Sequence, residues 1–589
     1  MKLHLPVRLF RAVMASLTLI ICDVTSSLYA AALDGDKGSI ITLAIASEVD
    51  HAYTLDSRGD TLTLSDTGSL TFNGYQTNTA GGAIYALSYC TITLCDNGSV
   101  SFSKNEARTG GAIDGGRHSS ITLNNNESLR FGENSARNGG AIYFHGSTEV
   151  NGNEYVTFNG NTATTHGGAI YAEAILGNSG SALTLHDNES VVFSKNSAGS
   201  YGGAIYGLYY NSSISLSNNR SVQFSENTAA NGGAICGFYS NETELYENVN
   251  ITFSKNTAEE GGGAICVMDG SEVRLSFNKN VTVSENTAAK GGAICGLDGS
   301  GVQLAYNENV SFYKNISSSE NKNTSAEGGA VYSAYLLLYG NEEVTFSDNS
   351  TSCSSLLSFG GAIYASSTIY IHTNKRISFN QNHASGSTSM GGAIHCEGNI
   401  TLADNGSVEF SVNNTSATSS QTKGGAICGY GNVTLSDNES ITFRGNSAGH
   451  EYNSGATYSH GGGIYGQGDS IILSGNENIM FRENKVFGKA TAYGGAISGI
   501  VDNITLSDNG SVSFYKNEAV GYGSVTGGAI GYGNAGIVSL YCNKNVTFSE
   551  NKVAVSYQNY DHYARGGAIY TWGDLHIRNN DSVLFEKNA

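Results

Sequence analysis

One tetrapeptide, Gly-Gly-Ala-Ile or a close variant, returns sixteen times between Gly81 and Ile569, at intervals of 28 to 39 residues. Its copies begin at Gly81, Gly110, Gly139, Gly167, Gly202, Gly232, Gly262 and Gly291, and continue at Gly328, Gly360, Gly391, Gly424, Gly461, Gly494, Gly527 and Gly566. Self-similarity at this period marks a stack of like structural units, each burying its apolar face on its neighbours. A chain of 589 residues would otherwise suggest several globular domains. The repeat overrides that expectation, because a solenoid lengthens without thickening its core.

A second phrase, Phe-x-x-Asn, precedes most copies, as in Phe102/Asn105, Phe131/Asn134, Phe158/Asn161, Phe193/Asn196, Phe224/Asn227 and Phe253/Asn256. Later copies include Phe346/Asn349, Phe443/Asn446, Phe514/Asn517, Phe548/Asn551 and Phe585/Asn588, and Val283 stands in for Phe once. Each unit therefore holds three short alternating segments, of the types Ala-Ile-Tyr, Ile-Thr-Leu and Val-x-Phe. Alternation over three to five residues is strand period. The Asp-Asn-Gly, Asp-Asn-Glu-Ser and Asn-x-Ala-x-Gly-Gly clusters between them are turn chemistry. The pattern predicts an all-β fold, a right-handed parallel β-helix (solenoid) of about 16 coils with three short strands per coil. Ile, Leu and Phe should stack inward. The Asn should occupy a left-handed turn and bond to its neighbours above and below. The Gly pair should supply positive φ and a close backbone approach.

The first residues differ from the rest. Lys2, Arg8 and Arg11 precede the apolar run Ala12 to Cys22, and small residues follow to Ala30-Ala31-Ala32. This predicts a signal peptide over 1–32, an N-terminal cap over 33–72 and repeats over 73–589. The apolar run is too short to span a bilayer, and no other stretch suffices for a transmembrane helix. The single proline, Pro6, lies in the leader, which suits a backbone whose N–H groups are needed in ladders. A net charge of −20 with 14% charged residues argues against nucleic acid and anionic membrane as partners.

The paired motifs, repeated in order behind a signal peptide, resemble the polymorphic outer membrane proteins of chlamydiae over roughly residues 60 to 589. The resemblance implies an autotransporter: a β-helical passenger shown on the cell surface and exported through a C-terminal outer-membrane barrel. It also implies adhesion to host cells and a role in virulence, with the tetrapeptide repeats linked to adhesion. Gly202, Gly203, Ala204, Ile205, Phe224, Asn227, Gly232, Gly233, Ala234, Ile235, Phe253 and Asn256 are thereby candidate adhesion motifs. The sequence ends at Phe585-Glu586-Lys587-Asn588-Ala589 without the amphipathic strands of such a barrel, so the translocator is expected outside this chain.

Coil length varies at one corner. From Phe to the next Gly-Gly takes eight residues at Phe102 to Gly110, but 16 at Phe312 to Gly328 and 18 at Phe443 to Gly461 and Phe548 to Gly566. Such insertions should align as a ledge of loops, from about Asn315 to Gly566, where binding residues gather. The candidate contacts are Tyr452, Tyr458, Tyr557, Tyr560 and Tyr563, since Tyr suits adaptable recognition. The expected partner is a host-cell surface protein or glycan. The alternatives are a structural or antigenic surface protein without a receptor, or a β-helix carbohydrate-active enzyme. An enzyme would need converging carboxylates. Asp561, His562 and Arg565 are the one tight polar cluster that breaks the repeat, and Trp572 is the only Trp to serve as a sugar platform. We expect no catalytic residue, cofactor or metal.

Cys236, Cys266 and Cys295 occupy one slot in three successive coils, within reach of a disulfide ladder, although packed thiols satisfy the same slot. The odd number of cysteines past the leader leaves one for intermolecular pairing and a disulfide-linked oligomer. Cys353, in an insertion, is the best placed. Asp96, Asp187, Asp404, Asp437 and Asp508 recur before Asn, as turn residues rather than calcium ligands.

Overall fold

The computed structural model describes residues 40–43, 53–173, 182–208, 213–239, 241–319, 324–449, 458–532, 536–555 and 563–589. The expected signal peptide over 1–32 lies outside them. The chain divides into two compact units, Met1–Ser221 and Val222–Ala589. Each is a β-solenoid of parallel strands, and no helix occurs among the described residues.

In the first unit, Ile113, Ile142, Ile170 and Ile205 pair coil to coil in one register. Leu123, Val150, Leu185 and Leu216 form a second inward column. Phe72, Phe102, Phe131, Phe158 and Phe193 form a third, with ring centroids 4.5 to 4.9 Å apart and planes within 4° of parallel. All five rings are fully buried, and burial of each contributes roughly 1.5–3 kcal/mol. Paired coil strands begin at Ile40–Leu43, which pairs with Thr61–Ser65, and at Tyr53–Leu55, all within the segment expected as a cap.

The second unit repeats these columns. Ile235, Ile265 and Ile294 are in register, and phenylalanines stack from Phe312 through Phe346, Phe379, Phe410, Phe443, Phe481, Phe514 and Phe548 to Phe585. Val283 interrupts the series between Phe253 and Phe312.

The strands are distributed differently from the sequence reading. The Ala-Ile-Tyr and Ile-Thr-Leu segments share one sheet and sometimes one strand, as in Ile113–Asn124 and Ile142–Asn151. The Phe segments make the second sheet. The third comes from the Asn-x-Ala stretch, expected as turn: Ser135–Asn138 pairs with Thr162–His166, and that with Ser197–Ala198. Its inward residues are Ala136, Ala163 and Ala198, too small to register as a hydrophobic alternation.

Two asparagine ladders hold the corners. Asn134 Nδ2 donates to Asn161 Oδ1 at 2.9 Å and to the Phe102 carbonyl at 3.0 Å. Its own Oδ1 accepts from the Nδ2 and the backbone N–H of Asn105. A second ladder runs through Asn97, Asn126, Asn153, Asn188 and Asn219. These buried amides are satisfied, which removes the penalty of burying them. The left-handed residue is the one before each Asn, such as Lys104 (φ 54°), Glu133 (56°) and Asp96 (57°), a correction to the expected placement. The bend falls there, so the Asn N–H and carboxamide both face the adjacent coil. The Gly pair acts as expected: Gly139 has φ 61°, and a Cβ on Gly140 would lie 2.1 Å from the Gly168 carbonyl oxygen.

Candidate binding surfaces

The long corners of the second unit are not simple loops. After each Asn the chain runs as a third-sheet strand, departs, and returns as a fourth strand before Gly-Gly. These fourth strands are Ala326–Glu327, Leu357–Phe359, Thr388–Met390, Gln421–Lys423, Tyr458–His460, Thr491–Tyr493, Ser524–Thr526 and Ala564–Arg565. They pair in parallel, coil on coil. They bury apolar clusters of their own. Phe359, Tyr364, Met390, Cys428 and Tyr465 form one, with Tyr332, Leu357 and Tyr430 packed on it. Ala448, Val486, Ala492, Ala519 and Val525 form another.

Polar groups line the first cluster. Lys423 is buried, with Nζ donating to Gln467 Oε1 at 3.3 Å and lying 5.0 Å from the Tyr465 ring centroid. Burial holds its amine below the usual lysine value. His395 is fully buried, bonds Glu397 Oε1 through Nε2 at 2.9 Å and stacks on Phe359. Burial pushes His460 down to about 3, helped by the charge of Lys423. Every one of these groups is engaged in packing, and the arrangement stiffens the corner.

Nine stretches of the chain match the Chlamydia polymorphic membrane protein repeat: 155–173, 190–208, 213–237, 250–267, 275–297, 343–366, 376–397, 440–467 and 545–571. This is a protein of the Chlamydia polymorphic membrane protein type. Comparison with curated proteins and with solved structures finds no match. The repeats of this family occur in both units, and the family carries outer-membrane or surface association. Among the described residues no helix is long and apolar enough to cross a membrane, which leaves strand-built barrels untouched.

The polymorphic membrane protein motif itself faces inward. Ala204, Ile205, Phe224, Asn227, Ala234, Ile235, Phe253 and Asn256 are buried, and Gly202, Gly203, Gly232 and Gly233 are buried with them. Its side chains build the coil and leave the surface to other residues. Of the loop tyrosines, Tyr458 and Tyr563 are exposed at 44% and 38%, and Arg565 lies 4.0 Å over the Tyr563 ring. Tyr452, Tyr557 and Tyr560 lie outside the described residues, as do Asp561 and His562.

Cys236, Cys266 and Cys295 are in register, buried and unbridged. Desolvation and the neighbouring thiol raise Cys295, and hydrogen bonding to Cys236 leads the rise at Cys266. Cys353 is buried in the strand Ser350–Cys353, with Sγ 3.4 Å from the Thr324 carbonyl, and among the described residues the exposed thiol is Cys542. This corrects the expectation for Cys353: the insertion folds back over it. Asp96, Asp187, Asp404, Asp437 and Asp508 are exposed with φ near +56°. No group of three metal-ligating side chains converges among the described residues.

Proposed function

We propose that the chain is the passenger segment of a surface-displayed adhesin, contacting the host-cell surface at the broadened corner of its second unit. The observation that carries this reading is the fourth-strand stack. It spans eight strands with its own buried clusters, and it supports the exposed Tyr458 and Tyr563 on ordered backbone. A binding surface needs side chains held in place by packing, because ordering a loose loop on contact weakens affinity. The repeat motif serves adhesion indirectly, by setting the register of this corner. Export to the surface would use an outer-membrane translocator.

We read the protein as non-enzymatic. A shallow depression of about 330 Å³ on the Phe-strand sheet has one titratable lining residue, Glu343, among Asn, Ser, Thr and Val. Acid–base hydrolysis needs two such groups.

The test uses the full chain with Tyr458→Ala and Tyr563→Ala together, measured for saturable binding to cultured epithelial cells. Binding should fall about tenfold, for two exposed aromatic anchors. Unchanged binding by a folded variant would remove the corner from the interface.

A further inference from the structure

A row of aromatic rings crosses five successive coils of the second unit, at the turn between the Ile-x-Leu and Phe strands. Tyr246, Ser276, Ala305, Tyr339 and His372 share one register position at the strand ends. The turn residues that follow them are Glu247, Phe277, Tyr306, Gly340 and Thr373. The two columns complement each other. Where the strand ends in small Ser276 or Ala305, the turn supplies Phe277 or Tyr306. Where the strand supplies Tyr339, the turn is Gly340, and a Cβ there would lie 2.5 Å from the Tyr306 ring. The row is thus continuous, with centroids 5.5 Å apart for Tyr246–Phe277, 5.1 Å for Phe277–Tyr306, 5.2 Å for Tyr306–Tyr339 and 5.3 Å for Tyr339–His372. Phe277 and Tyr306 are 49% and 51% exposed.

The other side of the same turn is polar. Three residues on from Phe277, Tyr306 and Gly340 come Asn280, Asn309 and Glu343, which with Thr282, Ser311 and Thr345 line the shallow depression. On the strand side, Gln303 Nε2 donates to the Tyr339 hydroxyl, and Arg274 pairs with Glu272 and Glu242. Half-exposed aromatic rings beside amides and hydroxyls match an amphipathic ligand with apolar C–H groups and a polar rim. A pyranose has that form, and successive rings stand about one sugar residue apart along an extended chain. Local charge selects further. Glu242, Glu244 and Glu272 on these strands, with Glu247 at the turn, outnumber Arg274 and Lys279, which disfavours sulfated or phosphorylated chains.

We propose that this row is a non-catalytic binding platform for a neutral, extended oligosaccharide. The inference names a partner class within the adhesion reading and rests on it for its biological setting, but it uses a surface separate from the broadened corner. Counting Trp in the sequence hides the platform, because its rings are Tyr, Phe and His spread from Tyr246 to His372 and gathered by coil register.

The test is calorimetric titration of the full chain with neutral β-linked hexasaccharides of N-acetylglucosamine, of glucose, and of alternating galactose and N-acetylglucosamine, with a heparin hexasaccharide as the charged control. At least one neutral chain should bind more tightly than heparin, and Phe277→Ala with Tyr306→Ala should weaken it about tenfold, the equivalent of ~1.4 kcal/mol. As a check that needs no variant, the bound hexasaccharide should protect Tyr306 of the native chain from nitration, read by mass spectrometry. No binding of any neutral chain, preference for heparin, equal binding by the double variant, or unprotected Tyr306 would each overturn the platform. Cell binding by the same preparations separates the two ideas. Adhesion that survives without glycan binding refutes the platform alone, and glycan binding without adhesion refutes the adhesin alone.

Discussion

A plain coil of the first unit and a broad coil of the second differ by several residues and share nearly all of their core. From Gly110 to Gly139 the chain takes 29 residues, and from Gly424 to Gly461 it takes 37. Yet Phe102 and Phe131 stack at 4.9 Å, and Phe410 and Phe443 at 4.8 Å. The Asn ladders keep the same lengths, 2.9 Å at Asn134–Asn161 and 3.0 Å at Asn446–Asn484. The surplus is confined to one corner, where it becomes a fourth strand with a core of its own. Lengthening a loop adds little closure entropy, whereas displacing a core column would forfeit burial in every coil that touches it. The comparison teaches that the inward face is fixed by stacking and that variation is admitted where stacking is least involved.

The ladders offer the largest break in this comparison. Asn134→Ala in the first unit and Asn446→Ala in the second each remove four side-chain hydrogen bonds. At about 1 kcal/mol net for each bond lost, both should cost on the order of 4 kcal/mol in urea unfolding. A gap between the two above about 1 kcal/mol would contradict a common ladder. Phe359→Ala should cost about 3 kcal/mol, and it should act locally. Hydrogen exchange should speed up at Thr388–Met390 and Gln421–Lys423 while the Arg376–Asn380 strand stays protected. Uniform acceleration would show that the fourth strand has no separate core.

The two units should also answer pH in opposite senses. Burial raises Asp114, in the first unit, from 3.8 to about 7. Its contribution is full below 3.8 and declines as pH rises through 7. His460, in the second, is lowered from 6.5 to about 3. Its contribution is full above 6.5 and declines as pH falls toward 3. Asp114→Asn should flatten the first slope and His460→Phe the second, each by on the order of 4 kcal/mol across its range. Parallel slopes in the two variants would refute the assignment. The smallest effect belongs to Lys104→Ala. Its ion pair with Glu133 is exposed, at 3.9 Å, so unfolding should shift by less than about 0.5 kcal/mol.

The sequence was most legible where a side chain is both large and periodic. Ile142, Leu185 and Phe131 announce inward columns because each recurs at a fixed phase with a strong apolar signal. The Gly139-Gly140 pair announces its corner because no other residue combines positive φ with a carbonyl 2.1 Å from an added Cβ. Ala136 and Ala163 carried too little signal to reveal the third sheet. Cys353 looked like a loop thiol because sequence shows an insertion without showing that it folds back.

By itself the sequence determined the coil: its period, its parallel stacking and the identity of its inward columns. Those follow from local alternation and from chemistry repeated at one spacing. Only the tertiary structure decided which outward residues meet. Phe277 and Tyr306 belong to different coils and carry no shared motif, and Lys423 reaches Gln467 across 44 positions. The reason is that neighbours on a solenoid surface are set by coil length and register, sums over many residues that no local pattern records.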